Sequence, residues 1–331
     1  MRPTRSAIFP AIASALAIAA VSPAKASTPE ASNWPTQPIR LIVPFAAGGS
    51  VDVTARGLSQ LLSENLKQSV VVENRAGGGG RIGVDHTAKA APDGYTIVLA
   101  SAGTIAIAPH IYKDMPYDAM KDLEPITPVV DSINVMVVPA DSPVQSAQDF
   151  IERAKAQPGK INFGSSGVGA SDHMATELFT NMTGIQLTNI PYRGGGPAMI
   201  DLLAGRVDVM FSAMAPAIAN INAGKLRALG VTSSKRLENL PDVPTIAETA
   251  VPGYESIAWY GLFAPAGTPA AIVQKIGEAT AEALEDTALR ERLIQSGLIP
   301  VSSSPEEFRS FISQETEKWG KVVKDNGITA E

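Results

Sequence analysis

No cysteine occurs in the 331 residues, which excludes a disulfide framework and a lipoprotein anchor, so the fold rests on its core alone. Histidine is nearly absent as well. His86, His110 and His173 are scattered and lack HExxH spacing, so they make no zinc site. Aromatic residues are only 5% of the chain, and stacking is not the obvious basis of recognition. Basic clusters are missing too, which argues against nucleic acid as a partner. An acidic protein that binds an anion must do so with local groups rather than a global field.

The N-terminal segment reads as a leader outside the fold. Arg2 and Arg5 precede an apolar run, Ala7 to Val21, too short to span a bilayer at the usual ~20 residues. Ala24-Lys25-Ala26 fits the small-x-small rule, so residues 1–26 are expected to be a secretory signal peptide cut after Ala26. Pro10 and the small residues at the end of the run argue against a membrane anchor. Losing Arg2, Arg5 and Lys25 from 27 basic residues leaves 24 against 33 acidic ones, a net charge of −9. The remaining chain is ample for two lobes.

What is present is organised around PIRLIVPFAAGGSVDVTAR, Pro38 to Arg56. Ile39 to Val43 reads as a buried strand, Ala46-Ala47-Gly48-Gly49 as a tight turn, and Ser50 as a helix N-cap. Val51, Ala55, Leu58 and Leu62 keep the rhythm of one helical face. Strand, glycine turn and helix together aim free N–H groups and a helix dipole at one point, which suits an anion. Val70 to Val72 and Tyr95 to Ala100 read as further strands. The β-α-β-α-β rhythm predicts a mostly parallel sheet with helices on both faces and ligands at the strand C-ends. Ser101-Ala102-Gly103-Thr104 stands at that edge.

Gly78-x-Gly80-x-x-Gly83 formally matches a dinucleotide fingerprint. A four-residue spacer, Glu73 to Ala76, separates it from the strand, and Asp93 precedes the next strand instead of ending it. A flexible loop leading into a helix near Ile82, facing the lobe junction, is the better reading.

A second centre repeats the physics of the first. Ile161 to Phe163 is a strand, Gly164 to Gly169 a loop, and Ser171 to Thr183 a helix with Met174, Leu178 and Met182 on one face. Ser165, Ser166 and Ser171 can donate to a carboxylate. A nucleophile elbow fails around Ser166, because Val168 occupies the last glycine position. His173, on the first helical turn, serves either the backbone and core or a ligand. In IPYRGGGPAMIDLLAGRVDVMF, Asp208 sits within a strand over Val207 to Phe211 and meets either a structural partner or the ligand. Arg193 is either solvated or paired with a ligand carboxylate.

Ile133 to Pro139 and Ile257 to Pro265 read as two crossings between lobes, giving lobe 1 as 34–131 plus 257–331 and lobe 2 as 132–256. Helices are expected at Ala147 to Ala156, Pro269 to Leu284, Ala288 to Ser296 and Pro305 to Lys324. Their apolar faces read as lobe packing.

These runs, with VVVENRAGGGGRIG, APDGYTI, INFGSSGVGASDHMATELF, GKLRALGVTSSKR and PDVPTIAE, resemble the Bug-type receptors of tripartite tricarboxylate transporters over essentially the whole mature chain. The resemblance implies a two-lobed, type II-like α/β periplasmic binding protein, its mixed or parallel sheets flanked by helices and its ligand cleft between lobes. It implies ligand contacts at Phe45, Ala46, Ala47, Gly48, Gly49 and Asp52, at Ser101, Gly103 and Thr104, and at Ser165, Ser166, Gly169, Ala170, Ser171 and His173. Asp208 is carried as a further candidate. Ala46-Ala47 stand where a proline is frequent and Ala170 where a hydroxyl residue is common.

The expected function is capture of a small carboxylate (an organic, amino or aromatic acid) by lobe closure, as a monomer, for a membrane permease. No cofactor, metal or catalysis is expected. A ligand sensor feeding a signalling partner and a secreted serine hydrolase are the alternatives.

Overall fold

The computed structural model describes residues 33–192 and 194–329. The leader assigned to residues 1–26, and Arg193, lie outside the described residues. The chain starts β1 (Ile39–Val43), α1 (Ser50–Leu66), β2 (Val70–Asn74), α2 (Arg81–Ala88) and β3 (Thr96–Ser101). A π-helical stretch, Gly103–Ile107, then runs into α3 (Ala108–Ile111), followed by α4 (Ala119–Asp122) and the long β4 (Leu123–Pro139). Next come α5 (Ala147–Ala156), β5 (Asn162–Ser165), α6 (Ser171–Thr183), β6 (Thr188–Pro191), α7 (Gly195–Leu203) and β7 (Met210–Ala213). They are followed by α8 (Met214–Asn222), β8 (Leu226–Val231), α9 (Ile246–Thr249) and β9 (Ile257–Pro265). The last elements are α10 (Ala270–Leu284), α11 (Thr287–Gln295), β10 (Leu298–Pro300) and α12 (Pro305–Asp325).

β1 pairs in parallel with both β2 and β3, as the βαβαβ rhythm predicts. Beyond them the sheet is mixed rather than mostly parallel. β9 runs antiparallel to β3 and to β4, and β10 antiparallel to β4, in the order β10-β4-β9-β3-β1-β2. The hydrophobic pattern that marks a buried strand carries no direction, so only the connections decide this. The N-terminal part of β4, Leu123 to Ile133, pairs with β9, and its C-terminal part, Asn134 to Pro139, pairs with β7 and β8. One strand thereby serves two sheets. Its register shifts at Pro125/Thr127 and Pro128/Val130, where prolines lack an N–H for the ladder. Parallel β5 and β6 join the second sheet through the Phe163–Val209 bridge.

α1 buries Val51, Ala55, Leu58, Leu62 and Leu66, one stripe at helical spacing, in a core with β1 and α10. Ser304 and Glu307 close a capping box on α12, whose Phe308, Ile312 and Trp319 turn inward. Three local expectations need correction. Gly49, not Ser50, is the N-cap of α1, with no side-chain capping bond, and Ser50 is the first helical residue. Met182 is 40% exposed while Met174 and Leu178 are buried, because α6 ends one residue later. Asp208 lies before β7, exposed, between buried Val207 and Val209.

Candidate functional site

A cavity of about 380 Å³ opens where the end of β3, the loop after β5 and the start of β9 meet. Two helix N-termini reach its wall. Ala170 and Ser171 are the N-cap and first residue of α6, and Ala102 and Gly103 begin the helical run after β3. Such ends carry amides without intrahelical acceptors and the positive pole of the helix. The two sides approach closely. A Cβ on Gly103 would lie 3.9 Å from the Gly169 carbonyl oxygen, and one on Gly169 would lie 3.1 Å from Ile111 Cδ1. Among the described residues, no charged side chain lines the cavity.

Each loop is tied by its own side chains. Ser166 donates both its N–H and its Oγ–H to Asp172 Oδ2 (2.7 Å each), and the His173 N–H donates to Oδ1 (2.9 Å). Burial raises the pKa of Asp172, and the Ser166 and His173 bonds oppose that rise. The Gly169 N–H donates to His173 Nδ1 at 3.2 Å, which leaves the ring proton on Nε2, 3.4 Å from Glu177. His173 is buried and stacks on Phe163; it organises the loop from behind the wall. Ser165 is fully buried, with its hydroxyl donating to Asn189 Oδ1. Gly169, Ala170, Ser171 and Ser166 do reach the cavity.

After β3, Thr104 Oγ1 accepts the Ser101 N–H and Ser101 Oγ accepts the Thr104 N–H, a reciprocal cap on the run that follows. Ser101 and Gly103 face the cavity, whereas Thr104 is buried behind them.

The loop after β1 is placed differently from the expectation. Only Phe45 lines the cavity; Ala46, Ala47, Gly48 and Gly49 are exposed outside its wall. Asp52 is buried and takes the N–H of Gly48 on Oδ2 (2.9 Å), with Arg56 Nε on the same oxygen (2.9 Å) and Asn74 Nδ2 on Oδ1 (2.9 Å). The hydrogen bond from Arg56, then those from Gly48 and Asn74, hold its carboxyl at about 2 against the cost of burial. An acid in the first turn competes for the same N–H that a ligand would use. Asp52 is therefore the anchor of this loop. Asp208 is away from the cavity as well, accepting the Asn162 N–H at 2.8 Å.

The sequence reading missed the buried tryptophan pair behind the cavity. Trp259 and Trp319 border the cavity but are 0% and 2% exposed, and their indole N–H groups donate to Glu315 Oε2 at 3.3 and 2.8 Å. Glu315 is buried, with Lys318 Nζ 3.1 Å from its other oxygen. Asp131 faces Trp259 across the β4–β9 pair, and burial followed by the charges of Glu255 and Glu315 lifts its carboxyl to about 7. Tyr112, also on the wall, carries the Arg81 guanidinium 3.5 Å from its ring centroid. Gly79 of the glycine loop lines the cavity too. With only three tryptophans in the chain, two of them near strand and helix ends were the available signal.

Fold and site together define a two-lobed α/β periplasmic binding protein, with its cleft between helix N-termini. The description "Tripartite tricarboxylate transporter family receptor" matches residues 54–328, and the chain belongs to this family. It is 40% identical to protein BugT of Bordetella pertussis over 90% of this chain and 91% of that one. Among solved structures it resembles Rpa4515 of R. palustris with adipate, at 36% identity and TM-score 0.79, covering 90% of this chain and 99% of the other. It also resembles MatC of Rhodopseudomonas palustris with bound malate, at 30% identity and TM-score 0.75, covering 88% of this chain and 100% of the other. Receptors of this family are periplasmic solute-binding proteins.

Proposed function

We propose that this protein is an extracytoplasmic receptor that captures one small carboxylate by closing two lobes over it and hands it to a membrane permease. The observation that carries the reading is the cavity itself, bounded by the N-termini of α6 and of the run after Ser101, with no charged lining side chain among the described residues. Backbone amides, the Ser101 and Ser171 hydroxyls and two helix dipoles supply the positive potential that a carboxylate needs. The adipate and malate held by its relatives support that chemistry.

The lobes are 34–131 plus 257–331 and 132–256, joined through β4 and β9. Residues 1–26 are the export signal, removed after Ala26, and the mature protein acts as a monomer in the periplasm without catalysis. Closure follows because only the closed form brings both helix ends to one ligand, so binding shifts a population. The contacts are made by Phe45, Ser101, Gly103 and the Gly169–Ser171 turn. The test is thermal unfolding of the mature chain, refolded free of ligand, against a panel of small carboxylates. At ~100 times its dissociation constant a ligand adds about 2.7 kcal/mol to the native state. A properly refolded protein that shows no shift across the panel would refute carboxylate capture.

A further inference from the structure

Resting on the carboxylate reading, we propose that Arg81 and Tyr112 form a second anion subsite on the cavity wall, at which Arg81 selects ligands with two acidic groups over ligands with one. The glycine run that formally matched a dinucleotide fingerprint supplies the frame. Gly77 to Gly80 all hold positive φ, at 134°, 57°, 66° and 94°, a backbone that favours glycine. The run packs directly on the wall: a Cβ on Gly80 would lie 2.7 Å from Thr104 Cγ2 and 2.9 Å from Phe45 Cζ. Gly79 lines the cavity, and the Tyr112 hydroxyl is 3.8 Å from where its Cβ would stand. Tyr112 lines the cavity as well, and its neighbour Ile111 meets Gly169 of the loop before α6. The wall that carries Tyr112 therefore adjoins the helix ends that take the first carboxylate.

Arg81 opens α2 directly after the glycines. Its Nε donates to the Gly78 carbonyl oxygen at 2.8 Å, and its guanidinium lies 3.5 Å from the Tyr112 ring centroid, so the charge is held against the wall at both ends. Its remaining donors are free, because Arg81 enters no ion pair among the described residues. Asp85, one turn along α2, is engaged by Lys89 at 2.7 Å, and Lys318 behind the tryptophans is paired with Glu315 at 3.1 Å. A guanidinium stacked on an aromatic face is preorganised, and its free edge fits a carboxylate through two parallel N–H bonds. Helix ends offer only partial charges, enough for one carboxylate; a second needs a full cation, and Arg81 stands beside the cavity with none of its charge spent. The volume leaves room for it. About 380 Å³ is the share of roughly a dozen water molecules at ~30 Å³ each, well beyond a single carboxylate.

The experiment is calorimetric titration of the mature protein at pH 8 with diacids and their own monomethyl esters: succinate, glutarate, adipate and terephthalate, each against the monoester that keeps its skeleton and loses one charge. A guanidinium–carboxylate contact changes affinity by roughly ten- to hundredfold, so the diacid that fits is expected to bind at least tenfold more tightly than its monoester. In Arg81→Gln that preference is expected to shrink to about threefold or less, and in Arg81→Lys, which keeps a charge without the planar fork, to fall between the two. Circular dichroism checks the fold of both variants. Monoesters that bind as tightly as their diacids in the unmutated protein overturn the subsite while carboxylate capture stands. A preference that persists unchanged in folded Arg81→Gln overturns the role given to Arg81. Binding of neither class overturns this inference and the reading beneath it together.

Discussion

Replacing Asp52 by Asn separates a loop anchor from a ligand contact. Its carboxylate holds the Gly48 amide, the Arg56 guanidinium and the Asn74 amide, all at 2.9 Å, and its pKa falls from 3.8 to about 2. One unit corresponds to about 1.36 kcal/mol, so the ionised form contributes about 2 kcal/mol of stability at neutral pH. The folded pKa is depressed, so the contribution is complete above the unfolded value near 4 and is lost as pH falls toward 2. At pH 3 about half of it remains. Urea unfolding of Asp52→Asn and the unmutated protein at pH 7, 5 and 3 should show a deficit of about 2 kcal/mol at pH 7 that shrinks to about 1 kcal/mol at pH 3. Carboxylate affinity at pH 7 should stay within about threefold, because the cavity wall does not include this side chain. A deficit under about 0.5 kcal/mol at pH 7, or one that does not change with pH, would refute the anchor. A tenfold loss of affinity in a folded variant would return Asp52 to the ligand.

Two further outcomes follow from the geometry. Asp131 titrates at about 7, above its unfolded value, so ionising it in the folded state opposes folding. Stability should fall as pH rises from about 4 to 7, by at most about 4 kcal/mol, and Asp131→Asn should flatten that slope in melting curves taken from pH 5 to 8. Gly83 lets α2 pack directly on the backbone after β1: a Cβ there would lie 2.7 Å from Pro44 Cα and 2.9 Å from the Arg75 carbonyl oxygen. Gly83→Ala is therefore expected to cost about 1–3 kcal/mol in chemical unfolding; a neutral result would mean that the Pro44 turn yields.

Much of the scaffold was legible in the chain because it is encoded by near neighbours. The stripe from Val51 to Leu62, the bounds of α5, and β8 and β9 as strands all follow from apolar period and turn residues within a few positions. The glycine-serine loop before α6, which lines the cavity, was legible for the same reason. Local pattern also misled at Gly48, whose N–H is read as free unless the i+4 carboxylate is seen to reach it. What only the tertiary structure decided is what packs around the cleft. Trp259, Glu315 and Trp319 come from a strand and a helix brought together by packing, and Gly103 meets Gly169 across two loops far apart in sequence. Strand direction in β4 and β9 belongs to the same class. Periodicity records which side of an element is buried, while the partner it is buried against is set by long-range packing, and there the chemistry of this site resides.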